Sequence, residues 1–199
     1  MKNLKRLAIV GSVLITSMHG FGQKVKLEDG DLSALKTEKT IAFAFTYDSM
    51  SMGGRGHQSE SEYVAKKTEE YNKKSPGKGD EWAKAWKDDR ETLYEPAFTK
   101  EFEKYSSLQP DPKAKYTLIF KTVFTEPGFN IGIIRHNAEI SGIALIVESA
   151  NKSHVIAKIS VTKAPGGSFF DNDYNSDERI ATAYGEAGRG LGYFIKGKL

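Results

Sequence analysis

Between Tyr116 and Thr162 large apolar residues fall on every second position three times in close succession, and no chain with that pattern can avoid building a sheet. Tyr116, Leu118, Phe120 and Phe124 alternate with Thr117, Lys121 and Thr125. Asn137 to Glu148 carries Ile140, Ile143, Leu145, Ile146 and Val147, and His154 to Thr162 alternates Val155, Ala157, Ile159 and Val161 with Lys158, Ser160 and Thr162. Successive side chains of a strand point to opposite faces, so this period of two predicts three strands. The short link Ser149–Ser153 makes the last two an antiparallel hairpin. An earlier strand is predicted over Lys39–Tyr47, where Ile41, Phe43, Phe45 and Tyr47 alternate with Ala42, Ala44 and Thr46. Residues 23–37 read as a polar leading arm with, at most, a short strand.

The rest of the chain reads as helix and loop. Ser59 opens a mostly polar helix that Asn72–Asp80, with Pro76, Gly77 and Gly79, interrupts. A second helical stretch takes Asp80 as its N-cap. Trp82, Trp86, Leu93, Ala97, Phe98, Phe102 and Tyr105 recur there at three- and four-residue spacing, an apolar stripe facing a core. Pro96 lies inside that stripe. Lacking an N–H and clashing with the preceding turn, it predicts a kink or two helices meeting near Glu95. A last helix from about Asp177 to Ile195, capped by Asn175 with Glu178 reaching back, presents Ile180, Tyr184, Ala187, Leu191 and Ile195. Gly185, Gly188 and Gly192 also recur along it. Each costs up to about 1 kcal/mol in a helix interior, so their presence predicts a close neighbour. The order β-α-α-β-β-β-α predicts an α/β (α+β) fold with a mixed four-stranded sheet and helices mainly on one face.

The N-terminus bears on function. Lys2, Lys5 and Arg6 precede an apolar run from Leu7 to Met18, and the small residues Gly20 and Gly22 follow. Charged start, short apolar middle and small-x-small end make residues 1–22 a secretory signal peptide, cut before Gln23. The run is too short for a membrane span, which needs about 20 residues. The expected product is one domain, 23–199, periplasmic or secreted. Of 29 Lys+Arg, three lie in the leader, leaving 26 against 26 Asp+Glu. A balanced chain lacks the cationic excess of a nucleic-acid binder. The chain has no cysteine, which removes thiol catalysis, thiolate metal sites and disulfides.

Four runs carry a resemblance: KTIAFAFTYDSMSMG at 39–53, YNKKSPGKGDEWAKAWKDDR at 71–90, FTEPGFNIGIIRHNAEI at 124–140 and DERIATAYGEAGRGLGYFIKGK at 177–198. Together they resemble a group of small, uncharacterised exported α/β proteins of Gram-negative bacteria. The stretch from Tyr116 onward is similar, more loosely, to domains of unknown function in envelope lipoproteins. The resemblance implies an exported α/β domain and transfers no catalytic residue. The chain departs from the lipoproteins in having no cysteine to carry a lipid.

Chemistry-bearing patterns are few. Asp171, Asp173 and Asn175 place oxygens at alternate positions, as Ca²⁺ requires, but Ser176 and Thr182 stand where an EF-hand loop needs Gly and Glu. The competing reading is an exposed acidic turn at a helix start, without any cofactor. Trp82 and Trp86 stack on a ligand or belong to the core, and their place in an apolar stripe favours the core. Gly53-Gly54-Arg55-Gly56 with His57 follows a strand and precedes a helix, where anions bind, although the glycine spacing matches no dinucleotide or Walker pattern. Phe129, Ile131, Ile133, Ile134 and His136 form either an exposed contact surface or a strand extension. No G-x-S-x-G or H-E-x-x-H motif exists, and His57, His136 and His154 lack metal-ligand spacing.

The leading expectation is a non-enzymatic binding or interaction module for an envelope protein, a glycan or a small ligand, with oligomerisation through a sheet edge as a further possibility. The alternative is a small extracytoplasmic hydrolase using acidic residues and a histidine. Intact-mass measurement of the exported protein is expected to give a chain starting at Gln23. Recovery of the full-length chain from the cytosol would reverse the assignment of compartment.

Overall fold

The period-two segments form the centre of the sheet. The computed structural model describes residues 22–53, 58–131, 134–167 and 176–199, without the side chains of residues 130, 131 and 135. Strands β1 (Lys24–Gly30), β2 (Thr40–Thr46), β3 (Ser51–Met52) and β4 (Gln58–Ser59) come first. Helices α1 (Glu60–Lys74) and α2 (Lys78–Asp89) follow, then a π-helical turn (Arg90–Tyr94) and α3 (Glu95–Ser106). Then come β5 (Gln109–Pro110), β6 (Tyr116–Glu126), β7 (Phe129–Ile131), β8 (Ile134–His136), β9 (Ala138–Glu148), β10 (Asn151–Gly166) and α4 (Ser176–Lys196).

The main sheet has eight strands, with the order β1-β10-β9-β6-β2-β5 and β3 and β4 branching off β6. It is an open mixed sheet: β6, β9, β10 and β1 are antiparallel neighbours, whereas β2 pairs in parallel with β6, Ala42 opposite Thr117. The expected four-stranded sheet is therefore too small. The 23–37 arm supplies a full edge strand, Lys24 opposite Thr162. The added strands β3, β4 and β5 are two residues long, below the length at which alternation can be read. Residues 129–136 form a separate hairpin, β7–β8.

Leu118 and Phe120 of β6, Ile140, Ala144 and Ile146 of β9, and Ile159 and Val161 of β10 are fully buried on one face. Phe43 and Phe45 extend that face and meet α3, with ring centroids 5.2 Å for Phe43–Phe102 and 5.4 Å for Phe45–Phe98. Edge-to-face aromatic pairs at this spacing add to the burial term. The opposite face carries Ile119, Lys121, Ile143 and Leu145, which are only half-buried.

Local chemistry explains the helix ends. Ser59 and Glu62 form a capping box on α1, satisfying two otherwise orphaned N–H groups. The start of α2 corrects the expected Asp80 cap. Gly77 is the N-cap, with φ of 83°, and Asp80 sits in the first turn, accepting from Asn72 Nδ2 at 3.1 Å. Pro96 has the predicted effect, since α2 and α3 meet there. The helix widens so that Glu95 N–H donates to the Arg90 carbonyl, five residues back. Leu93 falls off the apolar stripe at this turn and is 37% exposed.

α3 and α4 cross closely, as the α4 glycines imply. A Cβ on Gly188 would lie 2.2 Å from the Phe98 carbonyl oxygen, and one on Gly192 2.9 Å from that of Phe102. Gly185 is different, with nothing nearer than Glu101 Cγ at 3.5 Å. Gly188→Ala is expected to destabilise by about 1–3 kcal/mol through overpacking against rigid backbone. Gly185→Ala is expected to be neutral or to gain up to about 1 kcal/mol from helix propensity. Urea midpoints of the two variants check the contrast.

Candidate functional site

Four segments converge where the parallel strand β2 ends: Tyr47, the start of α1, the α2–π–α3 junction and the first turns of α4. A π turn inside a helix is costly and recurs at functional sites, so its contacts matter. Tyr47 donates its hydroxyl to Glu95 Oε1 at 3.1 Å, and the Arg90 guanidinium lies 4.1 Å over the Tyr47 ring. Arg90 also pairs with Glu60, whose Oε1 accepts from Trp86 Nε1 at 2.6 Å. Glu60 thus ties α1 to α2 and to the π turn with charge-assisted bonds, the stronger kind.

Beneath this network Tyr94 and Tyr184 stack, with centroids 5.2 Å apart and planes within 7°. Tyr184 is hydrogen-bonded to Thr122 at 2.6 Å. Tyr94 is not so provided for. Its ring is 3% exposed and its hydroxyl is buried, yet among the described residues the hydroxyl has no hydrogen-bond partner. Burial, and then the carboxylate of Asp89, push the Tyr94 phenol up out of its usual range, so it stays neutral. An unpaired buried hydroxyl costs about 1–3 kcal/mol.

Two clefts flank the junction. The larger, about 590 Å³, lies on the Tyr47 side, between Phe45, Lys87, Asp88, Glu91 and Thr92. Partial burial raises the Glu95 carboxyl there, against the bond from Tyr47. The second cleft, about 360 Å³, is bounded by Tyr71, Trp82, Trp86, Asp89, Tyr94 and Asp177. Its aromatic wall is continuous: Tyr71–Trp82 and Trp82–Trp86 centroids are each 5.6 Å apart. Tyr63 stands behind, 5.5 Å from Trp86, its phenol pushed up to about 12, chiefly by burial. The Asp89 carboxyl is raised by partial burial and then by the like charge of Asp177.

Of the residues singled out in the sequence, Trp82 and Trp86 line the second cleft, and the others lie elsewhere or outside the described residues. Arg55, His57, Ile133, Asp171, Asp173 and Asn175 fall outside the described residues, and with them the calcium-type loop and most of the glycine-rich turn. Ile131 belongs to β7. Phe129 and His136 are brought together as a cross-strand pair, their rings stacked at 5.5 Å. That hairpin is exposed, with Phe129 at 42% and Ile134 at 60%. Its base is held by buried Arg179, which donates Nε to the Pro127 carbonyl at 3.2 Å and Nη2 to that of Gly128 at 3.4 Å. His154 is exposed beside Glu148. Among the described residues no group of three or more His, Asp or Glu is placed to hold a metal. Trp86 is buried in the core, as the stripe implies, and its edge also borders the second cleft, whereas Trp82 is half-buried there.

The residues that matter at this junction, Tyr47, Glu60, Asp89, Arg90, Tyr94 and Asp177, carry no motif. The local signals were Pro96, which marks the interruption, and the Trp82–Trp86 pair, whose place in the apolar stripe favoured the core.

No protein-family model and no curated protein matches the chain. Among solved structures it is similar to the PelC dodecamer from Paraburkholderia phytofirmans. The match has a TM-score of 0.36 at 12% identity, covering 83% of this chain and 97% of that one. A point variant of the same PelC dodecamer matches with a TM-score of 0.35 at 10% identity over the same shares.

Tyr94→Phe, which deletes the unpaired hydroxyl and keeps the stacked ring, is expected to raise stability by about 1 kcal/mol. Thermal and urea denaturation check it. A loss of stability instead would mean that the hydroxyl has a partner in the free protein.

Proposed function

We propose that the chain is an exported, non-enzymatic binding module whose small ligand lodges in the cleft between Trp82 and Asp177. The observation that carries this reading is the Tyr94 hydroxyl, buried and unpaired at an aromatic-walled cleft. A fold retains such a cost more readily where a ligand relieves it. The walls also suit a ligand: a concave, largely aromatic surface with a few convergent polar groups is the ordinary form of a small-molecule site. Reading residues 1–22 as a cleavable leader supports action beyond the inner membrane, and the balanced charge of residues 23–199 disfavours nucleic acid as the partner. No helix among the described residues is long and apolar enough to cross a membrane.

The hydrolase reading has less to stand on. It needs a histidine within reach of an acid inside a concavity. Among the described residues, His136 lies on the exposed hairpin and His154 pairs with Glu148 at 3.4 Å on open surface, while His57, the other histidine this reading named, lies outside them. Pairing through the β1 edge is also less favoured, because that strand carries Lys24, Lys26, Glu28 and Asp29. Charges on an edge discourage strand addition.

The chain's two tryptophans both line the proposed site, so indole emission reports on it directly. A screen of amines, carboxylates, sugars and short peptides against the purified chain is expected to yield a saturable emission change. Trp82→Phe should weaken it. Saturable binding that leaves both indoles untouched, or turnover of an ester or glycoside, would contradict the proposal.

A further inference from the structure

We propose that the cleft walled by Trp82 and Trp86 takes a small organic cation, a protonated amine on a short aliphatic body. This rests on the binding reading above and names the class of ligand. The argument begins with charge. Asp89 and Asp177 border the same space, and neither takes part in an ion pair among the described residues, although Asp88, next to Asp89, pairs with Lys84 at 2.5 Å. Arg90 is engaged by Glu60 and the Tyr47 ring, and Lys67 and Lys74 by the Tyr71 ring, so none of these cations pairs with either aspartate. Two like charges facing one cleft repel one another and attract a counter-charge from outside.

The unpaired Tyr94 hydroxyl is the second and independent observation. It is buried at the same cleft, and both carboxylates act on it. An ammonium N–H entering between the aspartates would give its oxygen a donor. The third is the wall. The rings of Trp82 and Trp86 offer a surface with negative faces, suited to a cation and to the CH₂ groups beside it, whereas the Tyr71 ring already has Lys67 at 6.0 Å and Lys74 at 5.7 Å and serves only as an apolar edge.

Other ligand classes fit less well. A carboxylate or phosphate would meet two acids. Calcium takes six to eight oxygens, and among the described residues this cleft offers only two carboxylates, the Tyr94 phenol and Ser176 beside aromatic rings. A neutral sugar would stack and donate to the aspartates, but would leave their charge uncompensated.

The test is a titration of the purified chain with n-butylammonium chloride, sodium n-butyrate, tetramethylammonium chloride, glucose and calcium chloride. It is read by indole emission and by the two indole N–H signals in a ¹H–¹⁵N spectrum. n-Butylammonium is expected to shift both signals saturably. Asp89→Asn, Asp177→Asn and Tyr94→Phe should each weaken it roughly tenfold, the scale of one lost charge-assisted or buried bond. Asp88→Asn, on the other side of the helix junction, should leave it unchanged. Tetramethylammonium, which has no N–H to give Tyr94, should bind roughly tenfold more weakly than the primary amine.

Should butyrate, glucose or calcium move the indoles while n-butylammonium does not, the cation assignment falls and the cleft stands as a site for another class. Undiminished amine binding in the well-folded Tyr94→Phe and Asp89→Asn proteins, or equal affinity for tetramethylammonium, overturns the assignment too. Silence of both indoles toward these probes and toward the wider screen overturns the assignment together with the reading beneath it.

Discussion

The contact between α3 and α4 organises most of what lies around it. With no side chain at Gly188, the α4 backbone comes up against the Phe98 carbonyl, nearer than any larger residue permits. One turn earlier on the same helix stands Tyr184. The approach sets its ring against Tyr94 and its hydroxyl on Thr122 of β6. Phe98, on the other side, stacks with Phe102 and touches Phe43, Phe45 and Phe120. Helix crossing, sheet face and the floor of the cleft are thus one packing problem, and a change of volume at its centre is felt in all three.

The polar network at the junction follows from the same geometry. Pro96 denies α3 an N–H in its first turn, and the helix widens over Arg90–Tyr94. That widening turns Arg90 toward Tyr47 and Glu60 and leaves Tyr94 over Tyr184. Glu60 serves three elements through Trp86 Nε1 and Arg90. Within this network Tyr94 is the exception among the described residues, a hydroxyl taken out of water and given nothing in return. Polar groups in protein interiors are nearly always paired, so an exception beside an open cleft is informative about the cleft.

Long, regular elements were legible in the sequence because burial writes itself as period. β2, β6, β9 and β10 alternate over seven or more residues, and α4 repeats Ile180, Tyr184, Ala187 and Leu191 at helical spacing. The meeting of helices at Glu95 and the close packing at Gly188 and Gly192 were also legible, because proline and glycine act through backbone rules that need no tertiary knowledge. β3, β4 and β5 were not legible, since two residues hold no period. β1 reads as polar because an edge strand buries little: only Val25 and Leu27 pack inward between exposed Lys24, Lys26 and Glu28. The cleft was invisible for a different reason. Asp89 ends one helix and Asp177 begins another far along the chain, and only the crossing of α3 and α4 brings them to one space.

Strand order carries a consequence for how the polypeptide comes into being. β1, nearest the N-terminus, finds its only partner in β10, with Val25 opposite Val161, and β2 waits for β6, with Phe43 opposite Leu118. Closing such distant pairs costs loop entropy before any contact repays it. A chain emerging from the ribosome has no partner for β2 before β5 and β6, and among the described residues none for β1 before β10. The N-terminal strand, first in sequence, is therefore among the last to find its place in the sheet.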